Sequence, residues 1–247
     1  MQTSGNTILI TGGTSGIGLA FAEEFMHRNN QVIICGRRKD RLDEIKERYP
    51  AIATRVCDVA DAAQRTDLAT WVLQHFPAVN VLINNAGVQL LTDLTRPIDL
   101  NRVQLEVETN FMAPVHLTSL FSQYLTAQPH AAIINISSGL AFVPLSFMPV
   151  YCATKAAIHS LTLSLRHQLR NTPVQVFEIA PPAVDTELGS DRRTDKTQTH
   201  GGMPVQEFLQ EAMIALEQDV LEAPIGTAKL SREKREALFE ERNKHFS

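Results

Sequence analysis

The amino-acid sequence predicts an α/β fold, a single domain on a doubly wound, mostly parallel sheet, and three observations carry that reading. Short apolar runs alternate six times with longer amphipathic ones, the rhythm of strand and crossover helix. Several short runs are apolar on both faces, as in Ile8-Leu9-Ile10 and Ile133-Ile134-Asn135-Ile136, which fits parallel strands covered by helices on both sides. A glycine-rich turn follows the first strand at once and opens the first helix. The 247 residues suffice for one domain with a large core, and no internal repeat or low-complexity linker divides them.

Taken in order, the first strand is expected over Thr7–Thr11 and the first helix over Gly16–Asn29, joined by Gly12-Gly13-Thr14-Ser15. Glycine lets the chain turn sharply and approach a ligand closely. The helix start offers unpaired N–H groups and a positive dipole end to a phosphate. Strand, turn and helix in this order suit a dinucleotide, so Gly12, Thr14, Ser15, Gly16, Ile17 and Gly18 are candidate cofactor contacts. The second strand, Gln31–Cys35, runs into Gly36-Arg37-Arg38-Lys39, with no acid before Asp40. A carboxylate there would bind the ribose hydroxyls of NAD, whereas an arginine accommodates the extra phosphate of NADP. The sequence therefore predicts NADP(H) in preference to NAD(H), through Arg37 with Arg38 or Ser15 assisting.

A helix over Asp40–Arg48 precedes the third strand, Ile52–Cys57, which ends at Asp58 and Val59. The Asp58 carboxylate either accepts from an adenine amine or caps the helix Ala62–Phe76. The fourth strand, Val79–Asn84, leads into Asn84-Asn85-Ala86-Gly87, small residues where a flat cofactor would cross the sheet. Asn85, Ala86 and Gly87 join the candidate contacts. A long helix is expected over Asn101–Ala127. Pro114 has no N–H to give the carbonyl of Asn110, so the helix should kink there. The freed carbonyl would hold a water between Lys155 and solvent.

The fifth strand, Ala131–Ser137, ends beside Ser138, and the helix Val150–Arg170 carries Tyr151 and Lys155 in its first turns. Residues four apart share a helical face, which sets a phenol beside an ammonium. A free tyrosine titrates near 10, and a neighbouring cation favours the phenolate, so the pair is a candidate acid/base device. After the sixth strand, Val174–Ala180, come Pro181-Pro182-Ala183-Val184-Asp185-Thr186. Residues 187–203 form a polar stretch read as a flexible substrate loop. A helix Pro204–Glu217 and a charged helical extension over about 231–246, with Ala237, Leu238 and Phe239 as its apolar side, complete the chain. Phe142, Leu145, Phe147 and Met148 suggest either an apolar pocket wall near the catalytic residues or core or dimer contacts. The few fixed charges in that stretch argue against a highly anionic substrate.

Net charge −4 and a pI near 6.1 disfavour nucleic acid or an anionic membrane as partner. No apolar run approaches the roughly 20 residues needed to span a bilayer, and the first residues carry no export signal. Cys35, Cys57 and Cys152 cannot form a complete disulfide framework and read as reduced cytoplasmic thiols. The scattered histidines offer no metal motif, so no metal is expected.

Together these pieces resemble the short-chain dehydrogenase/reductase family, in its short single-domain branch with a Rossmann fold. The pieces are TGGTSGIG (11–18), Asp58, NNAG (84–87), Asn110, Ser138 and Tyr-Cys-Ala-Thr-Lys (151–155), in the family's order across residues 7–186. Ala-Pro-Pro-Ala-Val-Asp-Thr-Glu-Leu (180–188) and the C-terminal region are similar to oxidoreductases found among lipoteichoic acid D-alanylation genes. The resemblance implies reversible hydride transfer between a nicotinamide and a small carbonyl or alcohol substrate. Tyr151 would be the proton donor or acceptor, Lys155 would bind the nicotinamide ribose, and Asn110 would serve a proton relay. Ser138, thirteen residues before Tyr151, would hold the substrate oxygen, with Ser137 as its competitor. Thr186 would hold the carboxamide, with Pro181 and Val184 beside it. Pro182 departs from the family's usual glycine and crowds that pocket. The chain end also lacks the glycine-rich strand used in tetramers, so a homodimer through the helices bearing Asn110 and Tyr151 is expected. A regulatory NADP-binding module without chemistry is the alternative, and the joint presence of Asn110, Ser138, Tyr151 and Lys155 speaks against it. A sugar-nucleotide epimerase would need more than the roughly 60 residues that follow Thr186.

Overall fold

The computed structural model of the chain describes residues 1–189 and 201–244. Its strands are β1 (Thr7–Thr11), β2 (Gln31–Gly36), β3 (Ala53–Val56), β4 (Val81–Asn84), β5 (Ala131–Ile136), β6 (Val174–Ala180) and β7 (Glu222–Pro224). They form one sheet in the order β3-β2-β1-β4-β5-β6-β7, every neighbouring pair parallel. The order reverses between β1 and β4, and ligands of open α/β sheets sit in the crevice such a reversal leaves at the strands' carboxyl ends.

Helices α1 (Gly16–His27), α2 (Lys39–Arg48), α3 (Ala62–His75), α4 (Leu100–Val107), α5 (Ala113–Thr126), α6 (Pro149–Leu169), α7 (Val205–Glu217), α8 (Ala228–Lys234) and α9 (Phe239–Asn243) complete the described chain. Successive strand residues point to opposite faces, and this alternation divides the apolar runs between two cores. Ile8, Ile10, Val32, Ile34 and Ile83 meet Phe21 and Phe25 of α1 and Phe208 of α7 on one side. Leu9, Ile33, Leu82 and Ile133 meet Leu68, Leu117, Phe121 and Leu165 of α3, α5 and α6 on the other. Burial on both faces explains why these strands read as unbroken apolar runs.

Three expectations change. An unexpected strand, β7, is three residues long, ends in Pro224 and buries only Ala223. The long helix over Asn101–Ala127 is two α-helices joined by a π turn, Glu108–Met112, in which the N–H of Ala113 bonds to the carbonyl of Glu108. Pro114 then stands in the first turn of α5, where a missing N–H costs nothing. The C-terminal extension is not one helix: α8 and α9 are separated by a 3₁₀ turn (Arg235–Leu238), and Arg235 adopts φ 48°. Of its expected apolar side only Leu238 is buried, against Phe142, Val143 and Ala180.

Of the stretch 187–203, residues 190–200 lie outside the described residues. Its far end is tied back by Met203, whose N–H bonds to the Ala183 carbonyl and whose carbonyl accepts from Asp185. Among the described residues no helix is long and apolar enough to cross a membrane.

Candidate active site

A cleft of about 960 Å³ opens at the carboxyl ends of the strands. Its floor is the turn between β1 and α1. Gly12 (φ 66°) and Gly16 (φ 54°) occupy the left-handed region that favours glycine. A Cβ on Gly12 would stand 2.8 Å from the Ala86 Cα, so a side chain there would collide with backbone. Asn85 holds the turn, its amide donating to the carbonyls of Thr11 (2.8 Å) and Gly12 (3.2 Å). The Thr11 hydroxyl accepts from the N–H groups of Asn85 and Ala86. The tetrad at 84–87 thus locks the ends of β1 and β4 together. Ser15 at the start of α1 makes no side-chain capping bond, which leaves the first N–H groups of a twelve-residue helix facing the cleft. Glycines without room for a Cβ and an uncapped helix start fit a pyrophosphate.

At the outer end, Arg38 donates to the hydroxyls of Thr14 (3.2 Å) and Ser15 (2.9 Å) and to Glu187 (2.8 Å). That guanidinium holds the Glu187 carboxyl below its ordinary range. Arg37 lies 3.9 Å from Asp58. The two readings of Asp58 separate here: Asp61 caps α3, through the N–H groups of Ala63 and Gln64. Asp58 accepts instead from the N–H of Ala60, and with Val59 it lines the cleft.

At the inner end α6 presents Tyr151 and Lys155, 5% and 4% exposed. The Lys155 ammonium stands 5.7 Å from the centre of the Tyr151 ring and donates to the Ile136 carbonyl at 2.9 Å. Burial lowers its pKa from 10.5 to about 8, with Glu106 pulling the other way. Gly87 faces the same point: a Cβ there would stand 3.8 Å from the Lys155 Nζ. Ser138 lines the cleft, its hydroxyl accepting from the N–H of Leu140 (3.1 Å), whereas the Ser137 hydroxyl donates to Glu178 at 2.6 Å. Pro181, Val184 and Thr186 close the far wall, Thr186 packed against Gly16. Pro182 turns toward Gly226 of the segment that follows β7.

Every candidate catalytic and cofactor-binding residue lines this cleft except Asn110. Of the expected apolar wall, Leu145 and Met148 line it, whereas Phe142 is buried against Val143, Ala180 and Leu238 and Phe147 packs behind on the cluster of Met148, Tyr151 and Cys152. Asn110 is 1% exposed and lies behind the wall. Its amide donates to the Val88 carbonyl (2.8 Å) and the Thr154 hydroxyl (3.2 Å), and its oxygen accepts from the N–H of Val88 (2.8 Å). The side chain thereby clamps the extended segment that leaves Gly87 to the π turn and to α6.

Sequence reasoning missed three features. Glu106, fully buried one turn before Asn110, accepts from the N–H of Leu90 and faces Lys155; a charge on the inner face of α4 was the available signal. His159, Glu178 and Glu222 converge within 4.8 Å although far apart in sequence. Their ligand atoms are engaged: His159 and Ser137 bond to Glu178, and Arg232 pairs with Glu222. The third is Arg242, which lines the cleft from α9.

Comparison with known proteins agrees with this geometry. A family model described as short chain dehydrogenase matches residues 6–197. An uncharacterized oxidoreductase DltE of Bacillus subtilis is 46% identical over 248 residues, covering 98% of each chain. A short chain dehydrogenase of Burkholderia cenocepacia, solved in complex with NADP, superposes with a TM-score of 0.81 at 25% identity, covering 95% of this chain and 94% of that one. A short chain dehydrogenase/reductase of Burkholderia phymatum, solved in complex with NAD, superposes with a TM-score of 0.84 at 24% identity, covering 94% and 92%, and supports the fold. With its cleft, its Tyr151–Lys155 pair and these relatives, the chain belongs to the short-chain dehydrogenase/reductase family of oxidoreductases.

Proposed function

We propose that the protein is an NADP(H)-dependent oxidoreductase that interconverts a small carbonyl compound and its alcohol, with Tyr151 as general acid and base. The observation that carries this reading is the buried phenol and ammonium on the first turns of α6, lining the same cleft as the open glycine turn. Gly12, Thr14, Ser15, Gly16, Ile17 and Gly18 would hold the pyrophosphate; Asp58 and Val59 would face the adenine; Asn85, Ala86 and Gly87 would line its path; Pro181, Val184 and Thr186 would flank the nicotinamide. When bound, the cofactor supplies or accepts the hydride. The remaining work belongs to the chain. Ser138 holds the substrate oxygen, and Tyr151 gives its phenolic proton to that oxygen as the alcohol forms. Lys155 stabilises the phenolate left behind, a charge that burial makes costly without a partner. Asn110 keeps α6 and the segment after Gly87 in register through its bonds to Val88 and Thr154. A module that only sensed the cofactor would have no use for a buried ammonium beside a phenol.

The preference for NADP(H) rests on Arg37 and Arg38 at the rim and the lack of a carboxylate on the end of β2. The substrate side is apolar through Leu140, Leu145 and Met148. Small and apolar exposed residues on α6 (Ala153, Ala156, Leu163), the π turn (Met112) and α5 (Tyr124) offer a homodimer face, which sedimentation equilibrium reporting a monomer would remove. Three buried free cysteines suit a reducing cytoplasm, and cell fractionation checks that location.

Purified protein assayed for NADPH and NADH oxidation across aldehydes, ketones and quinones tests the activity. Arg37→Asp should lower the NADPH-to-NADH affinity ratio at least tenfold. An unchanged ratio would refute the role given to Arg37.

A further inference from the structure

The sequence expectation of a cleft poor in fixed charge overlooked one residue. Arg242 lines the cleft from α9, although it is remote in sequence from every motif. Its position is anchored. The neighbouring Asn243 accepts from the N–H of Ser146 at 2.7 Å and donates to the Pro144 carbonyl at 3.1 Å. One turn back, Leu238 packs on Phe142, Val143 and Ala180. These contacts fix α9 against the segment between Ser138 and Tyr151, at the opposite end of the cleft from the glycine turn. The other cleft arginines face carboxylates, Arg38 with Glu187 and Arg37 with Asp58. Among the described residues Arg242 pairs with none. The segment that α9 is tied to contributes apolar residues to the same cleft, Leu140, Leu145 and Met148. A guanidinium in such a cleft presents a planar fork that matches a carboxylate, and apolar surroundings strengthen the attraction.

We infer that Arg242 is a specificity-determining residue that binds a carboxylate, and that the substrate is an oxo acid or hydroxy acid with an apolar spacer between its reacting carbon and its carboxylate. This inference rests on the oxidoreductase reading above and names the substrate class for that site. Arg242 touches the substrate's remote end and takes no part in hydride or proton transfer.

The test compares 4-oxopentanoate and 5-oxohexanoate with their methyl esters. Reduction is followed by NADPH oxidation, and binding of the same acids to the enzyme–NADP⁺ complex is followed by calorimetry. The native enzyme should favour an acid over its ester at least tenfold in kcat/KM. Arg242→Met should lower that ratio at least tenfold through KM rather than kcat, Arg242→Lys should retain part of it, and Arg242→Glu should invert it. Raising ionic strength should erode the preference, because the site is open to solvent. Esters reduced as well as acids, or a preference that survives Arg242→Met, would overturn the inference and leave the oxidoreductase reading intact. Binding of an acid that depends on Arg242, with nothing in the panel reduced, would uphold the anion site and overturn that reading. Neither binding nor reduction would overturn both.

Discussion

Lys155 shows how far burial can move a single group and what that does to the chemistry beside it. Its ammonium is nearly enclosed, and its pKa falls from 10.5 to about 8 because burial outweighs the attraction of Glu106. Between those values the unfolded chain holds a proton that the folded chain has released, so stability rises with pH across that window. The penalty is fully present below pH 8 and amounts to about 3 kcal/mol at ~1.4 kcal/mol per pH unit. Urea midpoints should show the native protein gaining on Lys155→Met as pH climbs from 8 toward 10; a constant gap would contradict the assignment. Activity should run the other way. On the proposed mechanism the cation beside the Tyr151 phenolate is lost above pH 8, so kcat/KM for NADPH, which reports ionisations of the free enzyme, should fall through about pH 8. Lys155→Arg keeps its charge at any such pH and should move that limb upward while lowering the maximum. The Tyr151–Lys155 pairing was legible because four residues of helix is a local relation. Glu106 and Arg242 were not, since only the tertiary fold carries them to the same cleft.

The π turn between α4 and α5 is the element that organises the inner wall. Pro114 announced a break in the sequence, but nothing local told a simple kink from a widened turn. That distinction depends on the bond from Ala113 to Glu108. The consequence for Asn110 is that its buried amide serves as a clamp rather than lining the cleft. Asn110→Ala leaves both backbone groups of Val88 and the Thr154 hydroxyl short of a partner, which should cost about 2 kcal/mol. Chemical denaturation measures that loss, and turnover should fall with it as Gly87 and Lys155 lose register. Full stability in the variant would refute the clamp. Elements with strong periodicity, such as β1, α1 and α6, were readable to within a residue or two. By contrast β7 is too short to hold a pattern. The break in the C-terminal extension sits at Arg235, a residue that no turn rule selects for a left-handed conformation.

Across the whole molecule, the parallel sheet does one thing that matters for function: its reversal between β1 and β4 opens a crevice where the carboxyl ends of the strands meet. The glycine turn and rim arginines occupy one side, and α6, the segment after Ser138 and the C-terminal extension occupy the other. Alternating apolar strands made the sheet predictable, because a chain buried on both faces has few other options. What the alternation could not convey is which distant segment closes the substrate side. That role falls to α8 and α9, through Arg232 on Glu222 and Asn243 on the backbone at 144 and 146. The central claim is that one phenol in this crevice moves the proton while the rest of the cleft holds the cofactor. It is tested most directly by measuring NADPH affinity and carbonyl reduction on the same preparation of Tyr151→Phe. The expected result is turnover lower by about three orders of magnitude, the upper part of what a positioned general acid contributes, with NADPH affinity within threefold of the native protein. Turnover retained in that variant, or NADPH bound by neither protein, would contradict the account.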